Sequence, residues 1–199
     1  MRLENVGYPV RLGSSTLRTA TDCLLAVDLF SDFRHEDGER LLSSLRSRRA
    51  GFELALAGAR ERALPVVYAN DTRGIWDGDA GALVRRALAG PGGDVLRPLA
   101  PTAGDAFVVK PRYSAFDLTP LTLVLEQLGI ERILLIGMAT EMCVAQTAID
   151  ARERGFRVSV VGDACATVAE ENEQTALRYL RAVVGVRVCA DLDDAIAAT

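Results

Sequence analysis

The chain has one histidine, His35, among its 199 residues. A histidine cage for a transition metal therefore cannot be assembled within one copy. Lysine is equally scarce. All but one of the 23 basic side chains are arginine, and the exception is Lys110. A lysine that persists in such an arginine-biased chain marks a place where a planar guanidinium does not substitute for a compact ammonium. The four cysteines, Cys23, Cys143, Cys165 and Cys189, include no C-x-x-C pair. Their scatter over a long, core-rich chain is not a disulfide framework. No apolar run approaches a membrane span, and the polar opening MRLENVGYPVRLGSS is not a signal peptide. A formal net charge of −4 supplies no clustered basic surface for nucleic acid or anionic lipid. Neither G-x-G-x-x-G after a strand nor G-x-x-x-x-G-K-[ST] occurs, so the two commonest nucleotide fingerprints are missing. These absences point to a soluble protein of a reducing, cytoplasmic compartment.

What is there alternates. Short, continuous β-branched runs lie at 23–29, 66–70, 107–110, 133–137, 157–163 and 187–191, as expected for strands buried on both faces of a parallel sheet. Helix-patterned stretches separate them. Thr119 and Pro120 predict an N-cap and first helical residue, with Gly129 as the stop. Thr167 to Glu170 has the form of a capping box, and Gly155 ends a helix begun near Thr140. The alternation predicts a three-layer α/β/α domain over 21–199, preceded by a polar arm over 1–20. A Gly/Pro-rich insertion at 71–105 reads as a lid, a binding loop or an oligomer contact.

Ligands of open α/β sheets sit beyond the carboxyl ends of the strands. Asp28 ends the first strand, with Asp32 and Phe33 just after. Lys110 ends the third, and the fourth runs into Gly137-Met138-Ala139-Thr140-Glu141-Met142-Cys143. With Thr140 as N-cap, Cys143 falls in the first helical turn, where free N–H groups and the helix dipole lower a thiol pKa and hold an oxyanion. The bland alternative makes Cys143 a small buried hydrophobe, Asp28 a cap or salt bridge, and Lys110 a solvated cation. The other three cysteines read as core. His35, in the run Arg34-His35-Glu36-Asp37-Gly38, reads as part of a solvated turn.

The segments LLAVDLFSDF, VVYANDTRGIW, FVVKPRYSAF and LLIGMATEMCVAQTAIDARERGFRVSVVGDACA, in that order, resemble the isochorismatase-like cysteine hydrolases. These include nicotinamidases and N-carbamoylsarcosine amidase-type enzymes. The resemblance implies a six-stranded parallel sheet of Rossmann-like form and a catalytic triad of Asp28, Lys110 and Cys143. It also implies a cis peptide between Met138 and Ala139, an oxyanion hole from the amides of Ala139 and Cys143, and a homo-oligomer.

The implied activity is metal-independent hydrolysis of a small amide or carbamoyl C–N bond through a thioester, with no cofactor. Phe33, Trp76, Tyr113 and Phe116 are candidate substrate-binding walls. Three departures bear on this. The family's D-x-Q-x-D-F reads Asp28-Leu29-Phe30-Ser31-Asp32-Phe33, with Phe30 at the Gln. The nicotinamidase metal site, D-x-H with a later His, is replaced by Asn70-Asp71-Thr72-Arg73. Isochorismatases proper lack the nucleophilic Cys, whereas this chain keeps Cys143. Two rivals are a non-catalytic small-molecule-binding module and a signalling receiver domain with a Lys-Pro pair. A receiver needs an adjacent acidic pair on the first strand, where this chain has Val27-Asp28.

Overall fold

A computed structural model describes residues 21–72, 74, 75 and 79–197. The elements in chain order are β1 (Asp22–Val27), α1 (Gly38–Ser47), α2 (Arg49–Glu61), β2 (Val66–Asp71), α3 (Ala80–Leu88), α4 (Gly93–Leu96), β3 (Ala106–Lys110), α5 (Leu121–Gln127) and β4 (Arg132–Met138). A π-helical turn, Thr140–Val144, leads into α6 (Ala145–Glu153). Then come β5 (Arg157–Ala166), α7 (Glu170–Tyr179), a second π-turn (Leu180–Val184), β6 (Arg187–Cys189) and α8 (Leu192–Ala197).

The six strands form one parallel sheet in the order β3-β2-β1-β4-β5-β6. Period-two alternation along each strand sends side chains to two separate cores. Leu24 and Ala26 of β1 face one way, with Phe52, Leu56, Leu134 and Ile136. Cys23, Leu25 and Val27 face the other, with Leu121, Leu125, Ile133, Leu135 and Ala148. Both faces are buried, which is why the strands read as continuous apolar runs. From β1 the chain winds outward through β2 to β3, then returns to lay β4 on the other side of β1. The winding therefore reverses between β1 and β4, and a crevice opens beyond their carboxyl ends. Gly137 is obligatory at that seam. It has φ 143°, and a Cβ would come within 2.1 Å of the Val27 carbonyl oxygen.

Several local expectations shift. β1 stops at Val27, because Asp28 turns into the left-handed region (φ 52°) and leaves the sheet. β5 runs three residues beyond the expected 163, to Ala166, so that Cys165 and Ala166 pair with Gly137 and Met138. Helix α5 starts at Leu121 rather than Pro120. The Thr119 hydroxyl still accepts from Leu121 N–H (3.2 Å) but itself donates to the Ala115 carbonyl. Gly129 and Gly155 are left-handed stops, as expected (φ 71° and 88°). The capping box at 167–170 does not form. Helix α7 begins at Glu170 after Ala169, and the Thr167 hydroxyl accepts from Ala169 N–H. The stretch 80–99 is no detached lid, since Leu83, Ala87, Val95, Leu96 and Leu99 are buried in the first core. The arm at 1–20 lies outside the described residues.

Candidate active site

Three strand ends deliver three side chains to the crevice. Asp28, immediately after β1, has its amide held by the Ala69 carbonyl at 2.8 Å. Its Oδ1 accepts from the Asp71 N–H at 2.7 Å, and its Oδ2 is 2.7 Å from Lys110 Nζ. Lys110, the last residue of β3, has a fully buried side chain. Its ammonium also donates to the Arg112 carbonyl at 2.7 Å and lies 3.6 Å from Cys143 Sγ. Cys143, in the turn after β4, has its thiol beside the Asp28 carboxylate. The ammonium thus touches the carboxylate and the sulfur at once. The Met138–Ala139 peptide bond at the start of that turn is cis.

The charges are strongly coupled. Burial pushes the Asp28 carboxyl above the usual carboxylate range, against the downward pull of Lys110 and of the hydrogen bonds from Cys143 and Asp71. Burial works to discharge Lys110, but the neighbouring Asp28 and Cys143 outweigh it and hold the ammonium protonated. Burial, and next the Asp28 carboxylate, push the Cys143 thiol up. This corrects the expectation of a depressed thiol pKa. The turn is a π-turn capped by Ala139, Thr140 is not the N-cap, and Cys143 is its fourth residue beside an anion. Helix-terminus stabilisation therefore gives way to desolvation and carboxylate repulsion.

The chain has relatives among known proteins. The isochorismatase domain family matches residues 22–191 of the chain. An uncharacterized isochorismatase family protein, YaaI, of Bacillus subtilis is 28% identical over 172 residues, covering 86% of this chain and 95% of its own length. Among solved structures, N-carbamoylsarcosine amidase from Thermoplasma acidophilum superposes with a TM-score of 0.61 at 29% identity, over 85% of this chain and 95% of that one. The pyrazinamidase/nicotinamidase of Streptococcus mutans gives 0.67 at 25% identity, over 84% and 99%. The chain belongs to the isochorismatase family.

Within this isochorismatase fold a cavity of about 370 Å³ opens over Asp28 and Cys143. Asp28, Cys143, Ala139 and Tyr113 line it, as expected, while Lys110 lies behind Asp28 rather than in the wall. Two expected walls are elsewhere. Phe33 is 6% exposed and wedged so closely that a Cβ on Gly92 would meet its ring at 2.4 Å. Phe116 is 4% exposed in the second core, stacked on Phe156 with the Arg154 guanidinium over its ring. Both read as pocket aromatics because they sit near site residues in sequence, but their rings turn into the cores. Trp76 lies outside the described residues.

Sequence reasoning missed Phe30 and His35. Phe30 lines the cavity, held by a two-way clamp: its N–H donates to Asn70 Oδ1 (2.8 Å), and Asn70 Nδ2 donates to its carbonyl (3.0 Å). The residue at the family's Gln position thus forms an apolar wall. His35, read as a solvated turn residue, also faces the cavity. The signal was its place on the loop leaving the carboxyl end of β1. Among the described residues no three His, Cys, Asp or Glu side chains are grouped to hold a metal ion, and the chain has a single imidazole.

Proposed function

We propose that the protein is a metal-independent cysteine amidohydrolase that cleaves a non-peptide C–N bond of a small amide or carbamoyl compound through a thioester. One observation carries this reading: the buried Lys110 ammonium bridges a carboxylate at 2.7 Å and a cysteine sulfur at 3.6 Å, both of which line a small cavity. The amidase and nicotinamidase relatives support it. Asp28, Lys110 and Cys143 form the catalytic triad.

Asp28 takes the thiol proton as Cys143 Sγ attacks the carbonyl carbon, so thiolate forms only when it is used. The raised pKa of Asp28 makes it a competent acceptor and, once protonated, a competent donor. Lys110 keeps its charge throughout and offsets the negative charge that moves between carboxylate, sulfur and oxyanion. The amides of Ala139 and Cys143 hold the oxyanion. Protonated Asp28 gives its proton to the departing ammonia or amine as the C–N bond breaks. Asp28 then removes a proton from water, whose oxygen attacks the thioester. The acid leaves, and the proton returns to sulfur. No cofactor takes part. We place the enzyme in the cytoplasm, in line with its free thiols, and as a homo-oligomer, as the family resemblance implies.

The test is ammonia release over a panel of small primary amides, ureides and N-carbamoyl compounds. At least one should turn over, and Cys143→Ala should lower its rate by on the order of a thousandfold or more. A chelator should leave the rate unchanged. A panel without turnover, or a Cys143→Ala variant that retains it, would remove the reading. Loss on chelation with rescue by zinc would remove its metal independence.

A further inference from the structure

Behind the cavity lies a second charge pair, a buried carboxylate with a partly exposed guanidinium, that the reaction does not use. Glu173, in the first turn of α7, is 6% exposed. Its Oε2 accepts from Arg48 Nη2 at 2.6 Å and its Oε1 from Arg48 Nη1 at 2.6 Å. The same Oε1 accepts from the Thr140 hydroxyl at 2.7 Å. Arg48, at the joint between α1 and α2, also donates to the Cys165 carbonyl of β5 at 2.6 Å. Thr140 is fully buried, follows Ala139 directly and stands three residues before Cys143. Its oxygen is also 3.1 Å from the Ala166 carbonyl, but a hydroxyl has one proton, and the shorter, charge-assisted contact is to Glu173.

The next residue is clamped in the same direction. Glu141 accepts from the Thr167 hydroxyl at 2.8 Å and from the Val168 N–H at 3.0 Å. Two adjacent residues of the nucleophile turn are thereby tied to the β5–α7 side of the crevice. Asp28 and Lys110 reach the crevice from the other side, on β1 and β3. The two halves of the triad stand on separately braced supports.

A buried ion pair is a poor source of stability, because desolvation offsets most of its attraction. It is, however, a stiff anchor when the carboxylate is held from several directions, and here Glu173 accepts three hydrogen bonds, two from Arg48 and one from Thr140, while Arg48 also reaches the Cys165 carbonyl. We infer that Glu173, held by Arg48, is a positioning residue that acts through the Thr140 hydroxyl to fix Cys143 against Asp28 and Lys110. The inference rests on the amidohydrolase reading for its kinetic consequence but not for its geometry.

Changing Glu173 itself strands the Arg48 charge and risks the fold, so the probe is Thr140→Val. This substitution keeps the shape and the ion pair and removes only the hydroxyl link. Thr140→Ser restores that link. With a substrate identified as above, Thr140→Val is expected to lower kcat at least tenfold with KM within about twofold, since misplacement by a fraction of an ångström acts on the reacting geometry. Thr140→Ser should recover most of the rate. The second readout needs no substrate. The rate of Cys143 alkylation by iodoacetamide, followed by mass spectrometry on protein of wild-type circular dichroism, should fall several-fold in Thr140→Val and return in Thr140→Ser. If no amide turns over but alkylation follows this pattern, the amidohydrolase reading fails and the positioning role stands. A folded Thr140→Val variant with wild-type kcat and alkylation rate would overturn the positioning role, as would a serine variant that rescues neither.

Discussion

Strand β1 carries a buried ion pair at each end, and the two are built differently. At its amino end Asp22 meets Arg132 of β4 through both carboxylate oxygens, with Nε to Oδ1 at 3.1 Å and Nη2 to Oδ2 at 2.5 Å. The same guanidinium donates to the carbonyls of Ala195 at 3.1 Å and Ile196 at 3.3 Å. Every polar atom named there has a protein partner, and the pair fastens α8 to the foot of the sheet. At the carboxyl end Asp28 meets an ammonium instead. Lys110 offers a point charge rather than a fork, and it leaves the carboxylate free to bond the Cys143 thiol over an open cavity. A guanidinium locks a carboxylate in a plane. An ammonium neutralises it while leaving it able to take and return a proton.

The sharpest way to break this contrast is Lys110→Arg. The variant is expected to fold, as judged by circular dichroism, yet to lose on the order of a hundredfold in kcat/KM, because the fork displaces Asp28 from the sulfur by about an ångström. Wild-type turnover would reduce Lys110 to a mere positive charge. A smaller effect concerns pH. In the proposed mechanism the ionised Asp28 accepts the thiol proton, so kcat/KM should rise with pH through its titration. Because burial raises that pKa, the acid limb should stand above the ordinary carboxylate range of about 4. An acid limb at or below that value would contradict the coupling described. The mildest effect is expected at the other end of β1. Arg132→Lys keeps the charge but gives up the fork and its carbonyl contacts. It should cost roughly 1–3 kcal/mol in denaturant unfolding, with kcat unchanged. A large loss of kcat there would dissolve the distinction between the two ends.

Much of the site was legible because its residues stand at strand ends. Continuous apolar runs located the six strands, and each run's terminus named Asp28, Lys110 or the turn to Cys143. The failures share a cause. Phe33 and Phe116 lie close to site residues in sequence, yet a change of backbone direction, such as the left-handed φ of 54° at Phe33, sends a ring inward. His35 failed in the opposite sense, since polar company in sequence says nothing of what stands across a crevice. The thiol pKa was misread because helix position is local, whereas the burial that raises it, and next the carboxylate from 115 residues away in the chain, come from tertiary packing.

The sequence by itself determined the layered α/β architecture, through apolar periodicity and glycine stops. It also determined the chemical inventory: one lysine, one histidine, and a cysteine after the fourth strand. Those properties are local or compositional. Tertiary structure alone decided which charges meet. The Asp28 carboxylate, the Lys110 ammonium and the Cys143 thiol become one coupled unit only when three strand ends converge. The Arg48–Glu173 pair braces Thr140 only when α1, α2, β5 and α7 pack around one buried carboxylate. Protonation and alignment depend on distances of a few ångströms between distant segments, and no local pattern in the chain encodes those distances.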